Sequence, residues 1–217
     1  MKIAALLFDK LTLLDIVGPT EVLSWVPGAE VLWVGKSKGP VRASPSGLEI
    51  HVDHALSEVD SADVLIVPGG PGVRLLLEDE GLLDWIRKIH AGTTWTTSVC
   101  TGSLLLGAAG LLEGKTATTH WAATGALESF GATYVEDRVV PQEKIVTSAG
   151  VSSGIDMALW LMGQIGGATK AQVAQLCIEY DPQPPFDAGA PSKAPPAVLE
   201  QARGTLTTVV QNALGNE

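Results

Sequence analysis

An α/β fold, with a mostly parallel central sheet and helices on both faces, follows from three observations. Short apolar runs alternate with longer helical patterns, as stacked βαβ units require. The β-prone run Thr93–Ser98 passes through Val99-Cys100-Thr101 into a small-residue helix, Gly102–Ala109, with no loop between them. Segments rich in glycine and polar residues follow the strands, where doubly wound sheets place their ligands. With 217 residues, 46% of them hydrophobic, the chain suits one domain with a substantial core.

In order, the apolar run Ile3-Ala4-Ala5-Leu6-Leu7-Phe8 sets a first strand at about 2–8, and Gly18-Pro19 delays the first helix to about 18–26. A strand at about 30–35 follows. Residues 36–50, with Gly39-Pro40 and Pro45-Ser46-Gly47, read as a small β excursion. Val64-Leu65-Ile66-Val67 centres a strand at about 63–67, and a helix fills about 80–91. The strand at about 93–98 feeds the helix at about 101–109. Thr116-Ala117-Thr118-Thr119 reads as a further strand, followed by a helix at about 121–129. A last strand at about 145–148 precedes helices at about 152–166 and 169–179. The proline-rich stretch at about 181–196 is held extended and crosses the surface as an arm, before a final helix at about 196–213.

Fourteen basic against 24 acidic residues leave a formal net charge of −10, and there is no basic block. That balance disfavours nucleic acid and anionic membranes. The N-terminal apolar run is too short for a signal sequence, and no stretch approaches the ~18 apolar residues of a membrane span. Cys100 and Cys177 lie far apart and form no metal-spaced set, so neither a disulfide framework nor a zinc site is expected. The expected setting is a reducing cytoplasm.

The candidate site lies on the segments that follow the strands. Cys100 stands at a strand-to-helix elbow, where backbone N–H groups and the helix dipole favour a thiolate. Thr101 directs its N–H toward the elbow cavity and its hydroxyl toward a water, although threonine is also an ordinary first residue of a helix. Asp15, within Leu13-Leu14-Asp15-Ile16-Val17, is either an N-cap or a partly buried carboxyl. In the second case it stays protonated and donates to the thiolate. Gly70 and Gly72, within Pro68-Gly69-Gly70-Pro71-Gly72, are candidate main-chain donors to a developing anion, or else residues of a tight turn. His120 and Trp121 line the pocket at a strand's carboxyl end, with a purely structural histidine as the alternative. His51, Asp53 and His54 read as a solvated turn rather than a metal cluster, and Cys177 as an inert core thiol.

Together, Leu14–Pro19, Pro68-Gly69-Gly70, Ser98-Val99-Cys100-Thr101-Gly102, Ala109–Gly114, Thr119-His120-Trp121 and Thr147–Asp156 resemble the PfpI/ThiJ superfamily. The resemblance implies a flavodoxin-like three-layer sandwich. Within it, the chain is most similar to isocyanide hydratases, through Asp15, Thr101 after the cysteine, and the tail Ile178–Asp187. It implies an enzyme that adds water to an isocyanide to give an N-substituted formamide, without metal or organic cofactor, and as a homodimer. Cys100 would attack the isocyanide carbon, with Asp15 protonating the nitrogen as a thioimidate forms; water placed by Thr101 would then release the formamide. Gly150 and Val151 would wall the pocket by main-chain contact.

Related architectures serve other functions. Proteases of the superfamily carry histidine directly after the cysteine, where Thr101 stands here. Glyoxalase-like enzymes place a histidine near it. The sensing domains of AraC-type regulators share the Asp15, Cys100, His120-Trp121 and Gly150 regions, but continue into two helix-turn-helix units of about 100 residues; 63 residues follow Gly154. A stand-alone ligand or redox sensor is the remaining alternative.

Overall fold

Strands covered on both faces need apolar side chains throughout, and the computed structural model, which describes residues 1–215, is built around such strands. In chain order the elements are β1 (Lys2–Leu6), α1 (Leu13–Leu23), β2 (Glu30–Gly35), β3 (Gly39–Arg42), β4 (Glu49–Val52), β5 (His54–Ala55), β6 (Val64–Val67), α2 (Glu80–Gly92) and β7 (Trp95–Val99). There follow α3 (Gly102–Ala108), β8 (Thr116–Ala117), α4 (Thr124–Glu128), β9 (Thr133–Tyr134), β10 (Val139–Gln142), β11 (Ile145–Ser148), α5 (Ser153–Gly166), α6 (Ala168–Cys177) and α7 (Pro196–Leu214).

Seven strands form the central sheet in the order β10-β11-β7-β6-β1-β2-β5, parallel except for the edge strand β10. The chain leaves β1 toward β2, then returns to β6 and proceeds the other way through β7 and β11. Right-handed crossovers therefore put α1 on one face and α2 and α3 on the other. The direction reverses beside β1, and the crevice beyond the carboxyl ends of β1, β6 and β7 is where such a sheet binds ligands.

Helix α2 shows why these helices dock. Leu82, Leu83, Ile86 and Ile89 are buried on one stripe at helical spacing. Asp79 caps the start, its carboxylate accepting from the Leu82 N–H at 3.2 Å. Burial of each such side chain contributes about 1.5–3 kcal/mol. Among the described residues no helix is long and apolar enough to cross a membrane.

Four expectations need correction. Helix α1 begins at Leu13 rather than about 18, with Pro19 inside it. The lost backbone bond is outweighed by burial, because a Cβ on Gly18 would lie only 3.0 Å from Ile155 on α5. The strand expected at 116–119 stops at Ala117 and pairs with β9 in a separate small sheet. The next residues turn to the elbow instead: the Thr118 N–H donates to Thr147 Oγ1 at 2.9 Å, and Thr119 Oγ1 donates to the Cys100 carbonyl at 3.1 Å. The helix expected at 121–129 is a 3₁₀ turn, Trp121–Ala123, followed by the five-residue α4. Cys177 is exposed rather than in the core, because the buried side of α6 is carried by Ala174. Strands β5, β9 and β10 were not expected; β10 holds Pro141, which an edge strand tolerates.

Candidate active site

A chain that passes from strand to helix without a loop must reverse within one residue, and Cys100 does so at φ +57°. For a non-glycine residue this costs about 1–2 kcal/mol. Surrounding bonds hold it there. The Cys100 N–H donates to the carbonyls of Ser148 and Ala149 at 3.1 and 2.9 Å, and its carbonyl accepts from Ser103 Oγ at 3.2 Å and Thr119 Oγ1 at 3.1 Å. Ser103 and Thr119 thus belong to the site's frame. Sequence reasoning missed both, although Thr119 lies beside His120 in a segment it had marked.

Asp15 is no N-cap. Thr12 holds that position and Asp15 sits in the first turn of α1, wholly buried. Its Oδ2 accepts from the Gly69 N–H at 2.9 Å, while Oδ1 is buried with no N–H or O–H partner among the described residues. The carboxyl faces the Cys100 thiol. Burial pushes its pKa up to about 7, against smaller opposing effects of the Gly69 N–H and the thiol. Burial also pushes the Cys100 thiol up, and an ionised Asp15 adds to this; the N–H groups of Val151 and Thr101 act the other way and favour the thiolate. Of the two, the carboxyl's charge is the contribution that vanishes on protonation. A proton on Asp15 removes that contribution, and the Val151 and Thr101 N–H groups are the ones that favour the thiolate.

Thr101 is tied to the loop after β6: its Oγ1 accepts from the Gly70 N–H at 2.9 Å. That contact corrects the expected role of Gly70, whose donor points at Thr101 rather than into open space. Gly72 is corrected likewise, since its N–H donates to the Lys10 carbonyl at 3.1 Å. Of the three, Gly69 is the one that approaches the site residues themselves. A Cβ there would lie 2.5 Å from the Thr101 nitrogen and 2.9 Å from Asp15 Oδ2. Gly69→Ala is expected to lower stability by about 1–3 kcal/mol in denaturant unfolding and to disturb both Thr101 and Asp15.

His120 packs on Gly150, where a Cβ would come within 2.8 Å of the imidazole. Its Nδ1 accepts from the Ala122 N–H at 3.2 Å, which leaves Nε2 to carry the proton. Burial lowers its pKa and keeps the ring neutral. Val151 follows at φ +29°, turning its N–H toward the sulfur. On their other side, His120 and Trp121 line an open groove of about 470 Å³ completed by Val198, Ala202 and Leu206 of α7, where Arg203 sits 5.2 Å above the Trp121 ring. The structure thus gathers Asp15, Thr101, Gly69 and Val151 around Cys100. It sets His120 one residue away, against Gly150, and faces Trp121 toward α7. Among the described residues no group of three His, Cys, Asp or Glu side chains is arranged to hold a metal ion.

A cysteine on a strained elbow, facing a buried acid at the switch point of a parallel sheet, defines a thiol site of one particular superfamily. Residues 1–164 match the DJ-1/PfpI family, and the chain belongs to it. Over 203 residues, 94% of this chain and 89% of the other, it is 47% identical to isonitrile hydratase from Pseudomonas putida. The crystal structure of a ThiJ/PfpI family protein from Pseudomonas syringae shares its fold with a TM-score of 0.92 at 37% identity, covering 98% of this chain and 88% of that one. Glutathione-independent glyoxalase DJR-1.2 from Caenorhabditis elegans is 28% identical over 155 residues, 70% of this chain and 82% of its own length.

Proposed function

We propose that this chain is an isocyanide (isonitrile) hydratase, a hydro-lyase that works by covalent catalysis through Cys100. The observation that carries the reading is the buried Asp15 carboxyl, held near pKa 7 beside the thiol and so placed to exchange a proton with sulfur, substrate and water. The 47% identity to the Pseudomonas putida enzyme supports the substrate class.

The thiolate attacks the terminal carbon of R–N≡C and a C–S bond forms. Electron counting moves the first proton from where the sequence reading put it. Attack leaves the lone pair on carbon, so the proton of Asp15 goes to carbon and gives the thioimidate R–N=CH–S–Cys100. The Asp15 carboxylate then takes a proton from water as its oxygen adds to that carbon, and returns this proton to nitrogen. Collapse of R–NH–CH(OH)–S–Cys100 forms the carbonyl, passes the hydroxyl proton to Asp15, and expels the thiolate. The formamide leaves and the pair regains its starting state.

Thr101 and the Gly70 loop form one wall of the site, and His120 and Trp121 are read as contacts to the apolar substituent R. Gly150 lets the imidazole close against the pocket wall. On this reading the chain is a cytoplasmic homodimer that binds no nucleic acid. Leu176 and Phe186, 80% and 81% exposed, are surfaces for the second copy.

The test is loss of an aryl isocyanide with formamide quantified by chromatography, on protein whose thiol is verifiably reduced. Stoichiometric formamide is expected. No turnover would remove the hydratase reading, and turnover of a 2-oxoaldehyde in its place would move the chain to the glyoxalase-like reading.

A further inference from the structure

The tail Ile178–Asp187 takes no part in the steps above, yet one of its residues turns back onto the domain. Glu179 stands at φ +51° just after α6. The Tyr180 N–H donates to the Gln175 carbonyl at 3.0 Å, and Gln175 Nε2 donates to the Tyr180 carbonyl at 3.2 Å. This turn delivers the phenol to the first turn of α5, where Tyr180 Oη donates to Asp156 Oδ1 at 3.0 Å.

The other side of Asp156 is occupied by Arg138, from the segment before β10. Arg138 Nε donates to Asp156 Oδ2, and its Nη2 donates to Ser152 Oγ at 3.0 Å. The main chain of Arg138 grips the same segment, because its carbonyl accepts the Ala149 N–H at 3.0 Å. The Ala149 carbonyl in turn accepts the Cys100 N–H at 2.9 Å. Residues 149–156 are therefore held at both ends. Between them lies Val151, a β-branched residue at φ +29°, a conformation that persists only where its surroundings enforce it.

We propose that Tyr180, Asp156 and Arg138 form a clamp that positions the Val151 N–H against the Cys100 sulfur, making the tail a positioning element of the thiol site. The proposal rests on the reading of Cys100 as the working nucleophile. A half-exposed ion pair such as Arg138–Asp156 contributes little to stability by itself. Its effect is expected on the thiolate instead. The titratable groups around the sulfur are Asp15 from α1 and, across Gly150, the neutral His120, and the clamp contacts neither.

The experiment measures the pH dependence of Cys100 alkylation by iodoacetamide in a Cys177→Ser background, which removes the exposed second thiol. Tyr180→Phe deletes one hydroxyl, and Asp156→Asn keeps the shape while losing the charge. Each is expected to slow alkylation at pH 7 by roughly threefold to tenfold, the range of one ordinary hydrogen bond's net contribution, and to move the profile to higher pH. With an aryl isocyanide, kcat should fall by a similar factor while KM holds. Alkylation profiles that superimpose on the background protein overturn the clamp, whatever the thermal midpoints do. Shifted alkylation in a protein with no isocyanide turnover supports the clamp and removes the hydratase reading alone.

Discussion

Cys100→Ala should abolish formamide formation, with turnover down by at least about 10³-fold, because the step that makes the isocyanide carbon reactive is carried by the thiolate. Cys100→Ser should fail nearly as completely, since a hydroxyl in this pocket is far harder to ionise than a thiol. The fold itself does not need the cysteine. At φ +57° the residue is strained, so Cys100→Gly should be inactive yet more stable by about 1 kcal/mol in thermal or denaturant unfolding. Loss of activity with gained stability separates a working residue from a packing one.

Asp15→Asn carries the second large effect. The amide can still accept the Gly69 N–H, but it can neither deliver nor take a proton, and kcat should fall by about 10²–10⁴-fold. The pH profiles should change in a stated direction. In the wild type the pair is fully protonated in acid and enters its one-proton, active form as pH rises through about 7, so kcat climbs across that region. That limb should vanish in Asp15→Asn. Stability runs the opposite way. The folded carboxyl titrates near 7 against 3.8 when unconstrained, so the folded chain holds its proton more tightly than the unfolded one. The associated stability is complete below 3.8 and is lost as pH rises through about 7, a loss of up to about 4 kcal/mol. Asp15→Asn is spared that loss and should be more stable than wild type at pH 8, with the advantage shrinking toward pH 4. Urea unfolding at the two pH values measures it.

Much of this fold and site was legible because the elements that build it have strong local signals. Val64-Leu65-Ile66-Val67 reads as a buried strand, and the Thr93–Ala109 stretch permits only a sharp elbow at its centre. Asp15 kept two readings in the sequence, because an aspartate near a helix start is ambiguous until its burial is known. Thr12 as the true cap, and the Gly69 N–H on Asp15 Oδ2, resolve it. Other features depend on partners distant in sequence. Gly70 and Gly72 read equally as donors to an anion or as turn residues, and the fold commits one N–H to Thr101 and the other to Lys10. Thr118 and Thr119 leave their strand for the elbow, which no local propensity records. Tyr180 was conspicuous in a tail motif, but its bond to Asp156 depends on a turn that only the folded chain displays.

The decisive measurement is the intact mass of the wild-type protein, acid-quenched during a single turnover of an aryl isocyanide. A transient protein adduct equal in mass to one whole isocyanide is expected, mapped to Cys100 by peptide sequencing and absent from Cys100→Ala. Formamide production by Cys100→Ala at an undiminished rate, with no adduct on any variant, would contradict covalent hydration at this cysteine.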